Sequence, residues 1–163
     1  MSKEAWKEYE SNPLTHSAAH YLMTIRALLQ DQGYARVTDI ARAMNITRGS
    51  CSLSLKSLKR RGLVLEDANK HLLLSPEGQR LAELVERNEE LLQAFFKDVL
   101  GVDADQAEID ACKIEHLLSI DTSTKLAHFM EYVRSSTPEV EAFLRRLPEA
   151  TPSTCPGGGK REG

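Results

Sequence analysis

No stretch of this 163-residue chain approaches the roughly eighteen consecutive apolar residues that a membrane-spanning helix needs. The first residues also lack the apolar region of a secretory signal. Cysteine is scarce: Cys51, Cys112 and Cys155 are an odd number without disulfide-like spacing. A stapled secreted scaffold is thereby excluded, and the reducing cytoplasm is the expected compartment. There is no overall basic excess either, because the formal net charge is -3. Bulk charge alone therefore does not mark the chain for nucleic acid.

The charge that is present is unevenly placed. Between Gly33 and His71 stand eight basic residues (Arg36, Arg42, Arg48, Lys56, Lys59, Arg60, Arg61, Lys70) against Asp39, Glu66 and Asp67. That segment carries +5, so the remainder carries -8. A basic module on an acidic body is the electrostatic footprint of nucleic-acid binding. An apolar fraction of 41% allows a real core, and the length suits one domain or two small ones.

The pattern predicts a mainly α fold. Residues 1–13 are polar and end in Asn12-Pro13, with Trp6 and Tyr9 available to tie them down. Ala18, Tyr21, Leu22, Ile25, Leu28 and Leu29 recur at helical spacing, with Thr15 as cap and Gly33 as stop. Val37–Asn45 reads as a short helix capped by Thr38. Thr47 then caps a helix running to about Arg61, in which Leu53, Leu55 and Leu58 pack inward. Two β-prone runs, 63–65 and 71–74, flank a turn at Glu66–Lys70. Ser75-Pro76-Glu77 opens a long helix to about Leu100. Asp103 with Gln106 has the form of a capping box opening another helix to about Leu118. Helices over 122–133 and from Thr137 to Leu147 follow, and the tail has no packing pattern. The predicted domains are a winged helix-turn-helix at 1–75, a helical domain at 76–148 and a flexible tail at 149–163.

A helix entering the major groove must present short polar and basic side chains. The helix after Thr47 has such a face. Arg48, Ser50, Ser52 and Ser54 are candidates for base edges or nearby phosphates, and the helix start at Thr47 can receive a phosphate. Lys56, Lys59, Arg60 and, ahead of the helix pair, Arg36 can hold the DNA backbone. The same surface would also serve a winged helix that binds protein. In Asp110-Ala111-Cys112-Lys113-Ile114-Glu115-His116, helical spacing sets Cys112 on one face with Glu115 and His116. Thiolate, carboxylate and imidazole together hold transition-type divalent metals. A half-buried cysteine beside an ordinary Glu-His pair has the same sequence.

Four stretches resemble the diphtheria-toxin-repressor family of metal-dependent transcriptional regulators, which includes manganese-responsive members. They are Tyr21-Leu22 with Ile25, Gly33–Ala41, the pair Gly62-Leu63-Val64 and Leu74–Gly78, and Ala111–Ser119, together covering roughly residues 14–133. The last is the most specific. The resemblance implies a DNA-binding winged helix, a helical dimerisation domain, a metal site between them and repression of metal-uptake genes. It also implies a short form without an SH3-like domain. Cys112, Glu115 and His116 fall on family ligand positions. His20 falls where the iron branch has methionine and the manganese branch aspartate, and Met23 where the latter has glutamate. Glu89 and Glu108 take the places of ligand histidines, and Gln93 that of an acid. In the tail, Thr154-Cys155-Pro156-Gly158 is similar to a Cys-Pro-His-Gly stretch, with Gly157 in place of histidine.

The resulting expectation is a non-enzymatic, cytoplasmic homodimer that binds a palindromic operator when Fe(II) is bound, with Mn(II) and Zn(II) as alternatives. A thiolate and two imidazoles are softer than the oxygen-rich set that suits manganese. A metal-independent winged-helix regulator is the rival. His71 and His128 have no assigned partner.

Overall fold

A computed structural model describes residues 14–150. Helix α1, His16–Gln32, starts where Thr15 Oγ1 accepts the Ala18 amide at 3.2 Å, a cap that contributes about 1 kcal/mol. It ends at Gly33, whose φ of 80° is the left-handed conformation that glycine adopts without a Cβ penalty. Ala18, Ala19, Tyr21, Leu22 and Ile25 form its buried stripe.

Helix α2, Val37–Ala43, is not capped by Thr38 as expected. Thr38 lies inside it, and the flanking residue is Arg36, whose side chain makes no cap bond. The Arg36 carbonyl instead accepts the amides of Asp39 and Ile40. Helix α3, Arg48–Arg60, is capped by Thr47, which accepts the Ser50 amide at 3.2 Å. Its buried side is Cys51, Leu55 and Leu58, spaced by four and three. Leu53 was expected inside and is 74% exposed, because it lies outside that stripe.

The wing is an antiparallel pair, β1 Val64–Glu66 and β2 Leu72–Leu74, in register Val64↔Leu74, Leu65↔Leu73 and Glu66↔Leu72. Alternation buries Val64 and Leu72 and exposes Leu65 and Leu73. Asp67 closes the turn by accepting the amides of Asn69 and His71, both at 2.8 Å. The Leu72 amide donates to the Ala35 carbonyl, which fastens the wing to the chain ahead of α2.

Helix α4, Pro76–Ala94, joins the two halves. Ser75 caps it through the Gly78 amide at 3.0 Å. A Cβ on Gly78 would sit 2.1 Å from the Leu63 carbonyl oxygen, so only glycine lets α4 begin against the wing. Ala82 and Val85 belong to the core shared with α1, α2, α3 and the wing, where Leu22, Ile25, Ile40 and Leu55 each contribute about 2 kcal/mol by burial. Leu91 belongs to a second core with Val99, Met130 and Val133. The helix does not run unbroken to Leu100: residues Phe95–Val99 form a π turn.

Helix α5 spans Ala104–Ile114. Asp103 caps it by accepting the Asp105 amide at 3.0 Å, while Gln106 turns to Asp110, so the expected capping box does not close. The α-helix was expected to continue to Leu118; Glu115–Leu117 instead tightens into a 3-10 turn. Helix α6, Ile120–Arg134, is capped by Ser119 and begins two residues earlier than expected. Helix α7, Pro138–Ala150, overruns the expected end at Leu147 and enters the predicted tail. Trp6, Tyr9 and the Cys155 stretch lie outside the described residues.

Candidate metal centre and nucleic-acid interface

The N-terminal turns of α1 meet the C-terminal end of α5. His20 Nε2 lies 3.3 Å from Cys112 Sγ, across 92 positions of sequence. Ligand atoms of His16, His20, Cys112 and Glu115 all lie within 4.8 Å of one another. Tetrahedral ligands at about 2.0–2.3 Å from an ion stand about 3.3–3.8 Å apart, so His20 and Cys112 are already at ligand spacing and the widest pair of the group would close by about 1 Å on an ion.

Glu115 is the sharpest sign. It is fully buried, and neither carboxylate oxygen has a hydrogen-bond partner among the described residues. A buried, unpartnered carboxylate is costly, and a cation removes that cost. Burial, then the charge of Glu89, pushes its carboxyl up to about 7. Burial also raises the Cys112 thiol, helped by Glu115, Glu89 and Glu108, so metal binding must displace its proton. Burial lowers His20 and His116, with the neighbouring histidines adding to it, which favours the neutral imidazole that binds metal. The donor set therefore fits a divalent transition metal.

Asn88 holds Glu115 in place. It is 1% exposed, and its Nδ2 donates to the Glu115 carbonyl at 2.8 Å while its Oδ1 accepts Ser123 Oγ at 2.5 Å. This chain ties α4 to the 3-10 turn and to α6. An asparagine flanked by charged residues in a long amphipathic helix gives no sequence signal of that role.

The other expected ligands are placed differently. The 3-10 turn takes His116 off ideal α-helical spacing, and it lies beside the gathered four, its ring 5.2 Å from that of His16. Glu89 and Glu108 do not belong to the gathered four. Glu89 accepts Gln93 Nε2 at 3.3 Å, and Glu108 is exposed; both act on the site through charge. His16 was not among the expected ligands. Its signal was the His-x-x-x-His spacing with His20, which sets two imidazoles on one helix face, their ring centroids 4.3 Å apart.

On the basic surface, Thr47, Arg48, Ser50, Ser52, Lys56, Lys59 and Arg60 are exposed along α3. Ser54 is not part of that face: it is half-buried and hydrogen-bonds Tyr21 of α1. Lys59 pairs with Glu66 at 2.5 Å, which offsets part of its charge. Arg36 lies over the Tyr34 ring and reaches His71 Nε2 at 3.2 Å. His71 thus has partners the sequence did not reveal, Asp67 included.

A winged helix-turn-helix joined by one long helix to a helical body, with sulfur, nitrogen and carboxylate donors at the junction, defines a metal-responsive DNA-binding regulator. Residues 13–72 match the iron dependent repressor N-terminal DNA binding domain, and residues 75–143 match the iron dependent repressor metal binding and dimerisation domain. The transcriptional regulator MntR of Lysinibacillus sphaericus is 29% identical over 126 residues, 77% of this chain and 89% of that protein. MntR of Geobacillus thermodenitrificans is 27% identical over 129 residues, 79% of this chain and 91% of that protein. The solved structure of the manganese regulator SloR superposes with a TM-score of 0.63 at 29% identity, covering 70% of this chain and 53% of that one. The chain belongs to the iron-dependent repressor family of metal-dependent transcriptional regulators.

Proposed function

We propose that the chain represses metal-uptake genes in the cytoplasm when Fe(II) is plentiful, acting as a homodimer on a palindromic operator and not as an enzyme. The observation that carries the reading is the buried, unpartnered Glu115 carboxylate facing His20 and Cys112 across the head–body junction. His20, Cys112, Glu115 and His116 are the residues that would hold the ion, with Glu89 and Glu108 supplying negative charge nearby. The bound ion supplies the positive charge that makes their gathering favourable. With an ion held there, His20 would fasten α1 to α5 and Glu115 would gain a partner, which would fix the angle between head and body.

Arg48, Ser50 and Ser52 then face the major groove, while Arg36, Lys56 and Arg60 hold phosphates and the Thr47 helix start receives one. Two heads on a two-fold dimer require half-sites of matching symmetry. An apolar groove lined by Phe129, Tyr132, Val133, Val140 and Phe143 on α6 and α7 supports dimerisation through the helical body. Thiolate and imidazole ligands favour Fe(II) over Mn(II). Likeness to a manganese regulator supports Mn(II) as the second candidate, and Zn(II) is the third.

An anaerobic titration of operator binding with Fe(II), Mn(II) and Zn(II) tests the reading. Tighter binding with metal, lost in His116→Ala without loss of fold or non-specific binding, is expected. Equal operator affinity with and without metal would overturn it in favour of a metal-independent regulator.

A further inference from the structure

His16 occupies the first turn of α1, one turn before His20, and its ring stacks edge-on to that of His20 at 4.3 Å between centroids. It also lies 5.2 Å from the His116 ring, tilted by 50°. Its ligand nitrogen falls within the same 4.8 Å group as those of His20, Cys112 and Glu115. Unlike these three, His16 is exposed, so it covers the group from the solvent side. The turn that carries it is fixed by the Thr15 cap.

We propose that His16 is itself a metal ligand, so that α1 grips the ion with two imidazoles one turn apart. The proposal rests on the metal-responsive reading above and adds two consequences to it. First, a second α1 ligand ties the metal to the winged-helix head at two successive turns, so that α1 cannot pivot about a single bond to the ion. Secondly, an added imidazole makes the donor set richer in nitrogen. Nitrogen and sulfur donors suit iron, cobalt and zinc, whereas carboxylate and carbonyl oxygens suit manganese. His16 is thus the residue that sets selectivity away from Mn(II), through the helix that links sensing to DNA reading.

Co(II) is a suitable probe, because its visible ligand-field bands report coordination directly and need no DNA. The full-length, metal-stripped protein is titrated with Co(II) and, by competition, with Mn(II). The parent is compared with His16→Ala, His16→Gln and Cys112→Ser. Both His16 variants should bind Co(II) at least about tenfold more weakly, with altered ligand-field bands, and should lose less affinity for Mn(II). Circular dichroism of the metal-free proteins checks that the fold is retained; His16→Gln keeps a polar helix-forming side chain should His16→Ala unfold. Parent-like bands and affinity in His16→Gln, with Cys112→Ser impaired, would overturn the role of His16 and leave the regulatory reading standing. If Cys112→Ser also binds Co(II) like the parent, the metal-site reading fails, and the proposal fails with it.

Discussion

Replacing Glu115 with glutamine should stabilise the metal-free protein and disable the metal-bound one. The carboxyl is fully buried without partners, and its proton is held to about 7 against an ordinary value of 4.5. Between those two values the folded protein keeps a proton that the unfolded chain has released, so raising the pH favours unfolding. The gap sets a ceiling of about 3 kcal/mol. Relaxation of the protein around the ionised carboxylate brings the expected loss to about 2 kcal/mol. His20 and His116 work in the opposite sense, because their lowered proton affinity makes stability rise with pH up to the ordinary histidine value of 6.5. The difference between parent and Glu115→Gln cancels that contribution. Urea unfolding with chelator present should therefore show the variant's advantage growing by about 2 kcal/mol from pH 4.5 to 8. Adding metal at neutral pH should reverse the order. An ion at a thousand times its Kd stabilises the parent by about 4 kcal/mol, and a hundredfold weaker variant by only about 1.4 kcal/mol. A parent–variant difference that stays constant from pH 4.5 to 8 would refute the account of Glu115 as a carboxylate buried without compensation.

Three further outcomes follow from individual side chains. Asn88→Ala should cost about 2–3 kcal/mol, because it leaves the Glu115 carbonyl and Ser123 unpaired inside the protein, and it should weaken metal binding more than stability alone explains; urea unfolding beside a metal titration separates the two, and unchanged affinity would reduce Asn88 to a packing role. Lys56→Ala should weaken specific and non-specific DNA equally and lower the salt slope by about 1, whereas Leu53→Ser, removing an apolar side chain 74% exposed on α3, should cost about 1 kcal/mol on the operator alone; binding across a salt series reads both.

The sequence was most informative where one residue decides a local conformation. Thr15, Thr47 and Ser75 cap their helices as expected, and Gly33 ends α1 with positive φ. Leu53 was misread because any leucine in an amphipathic helix looks internal, and only the finer spacing of Cys51, Leu55 and Leu58 places it outside. The 3-10 turn at Glu115 was not legible, since nothing in Ile114-Glu115-His116-Leu117 separates it from α-helix; the backbone is held there by the distant Asn88. Likewise, the resemblance that assigned His20 carried no position for His16. The two meet at the site because they stand four positions apart on α1.

The two cores limit how the head can move. Helix α1 is part of the head: Tyr21, Leu22 and Ile25 lie in its core, and Tyr21 hydrogen-bonds Ser54 on the reading helix. Arg26 also ties α1 to Glu83 and Glu86 of α4. A pull on His20 therefore moves the head as a unit and does not unravel α1. Helix α4 in turn is held by the head core at Ala82 and Val85 and by the body core at Leu91. Between them, residues 86–90 are mostly charged, and only Asn88 is buried. Asn88 pins that stretch to the 3-10 turn and to α6, so α4 is held along its length by the head core, by this buried amide and by the body core. In the proposed mechanism metal and DNA are linked through the head angle, so each must tighten the other's binding by the same factor. A metal-free protein that keeps its non-specific DNA affinity and loses only its preference for the operator is the behaviour this arrangement requires.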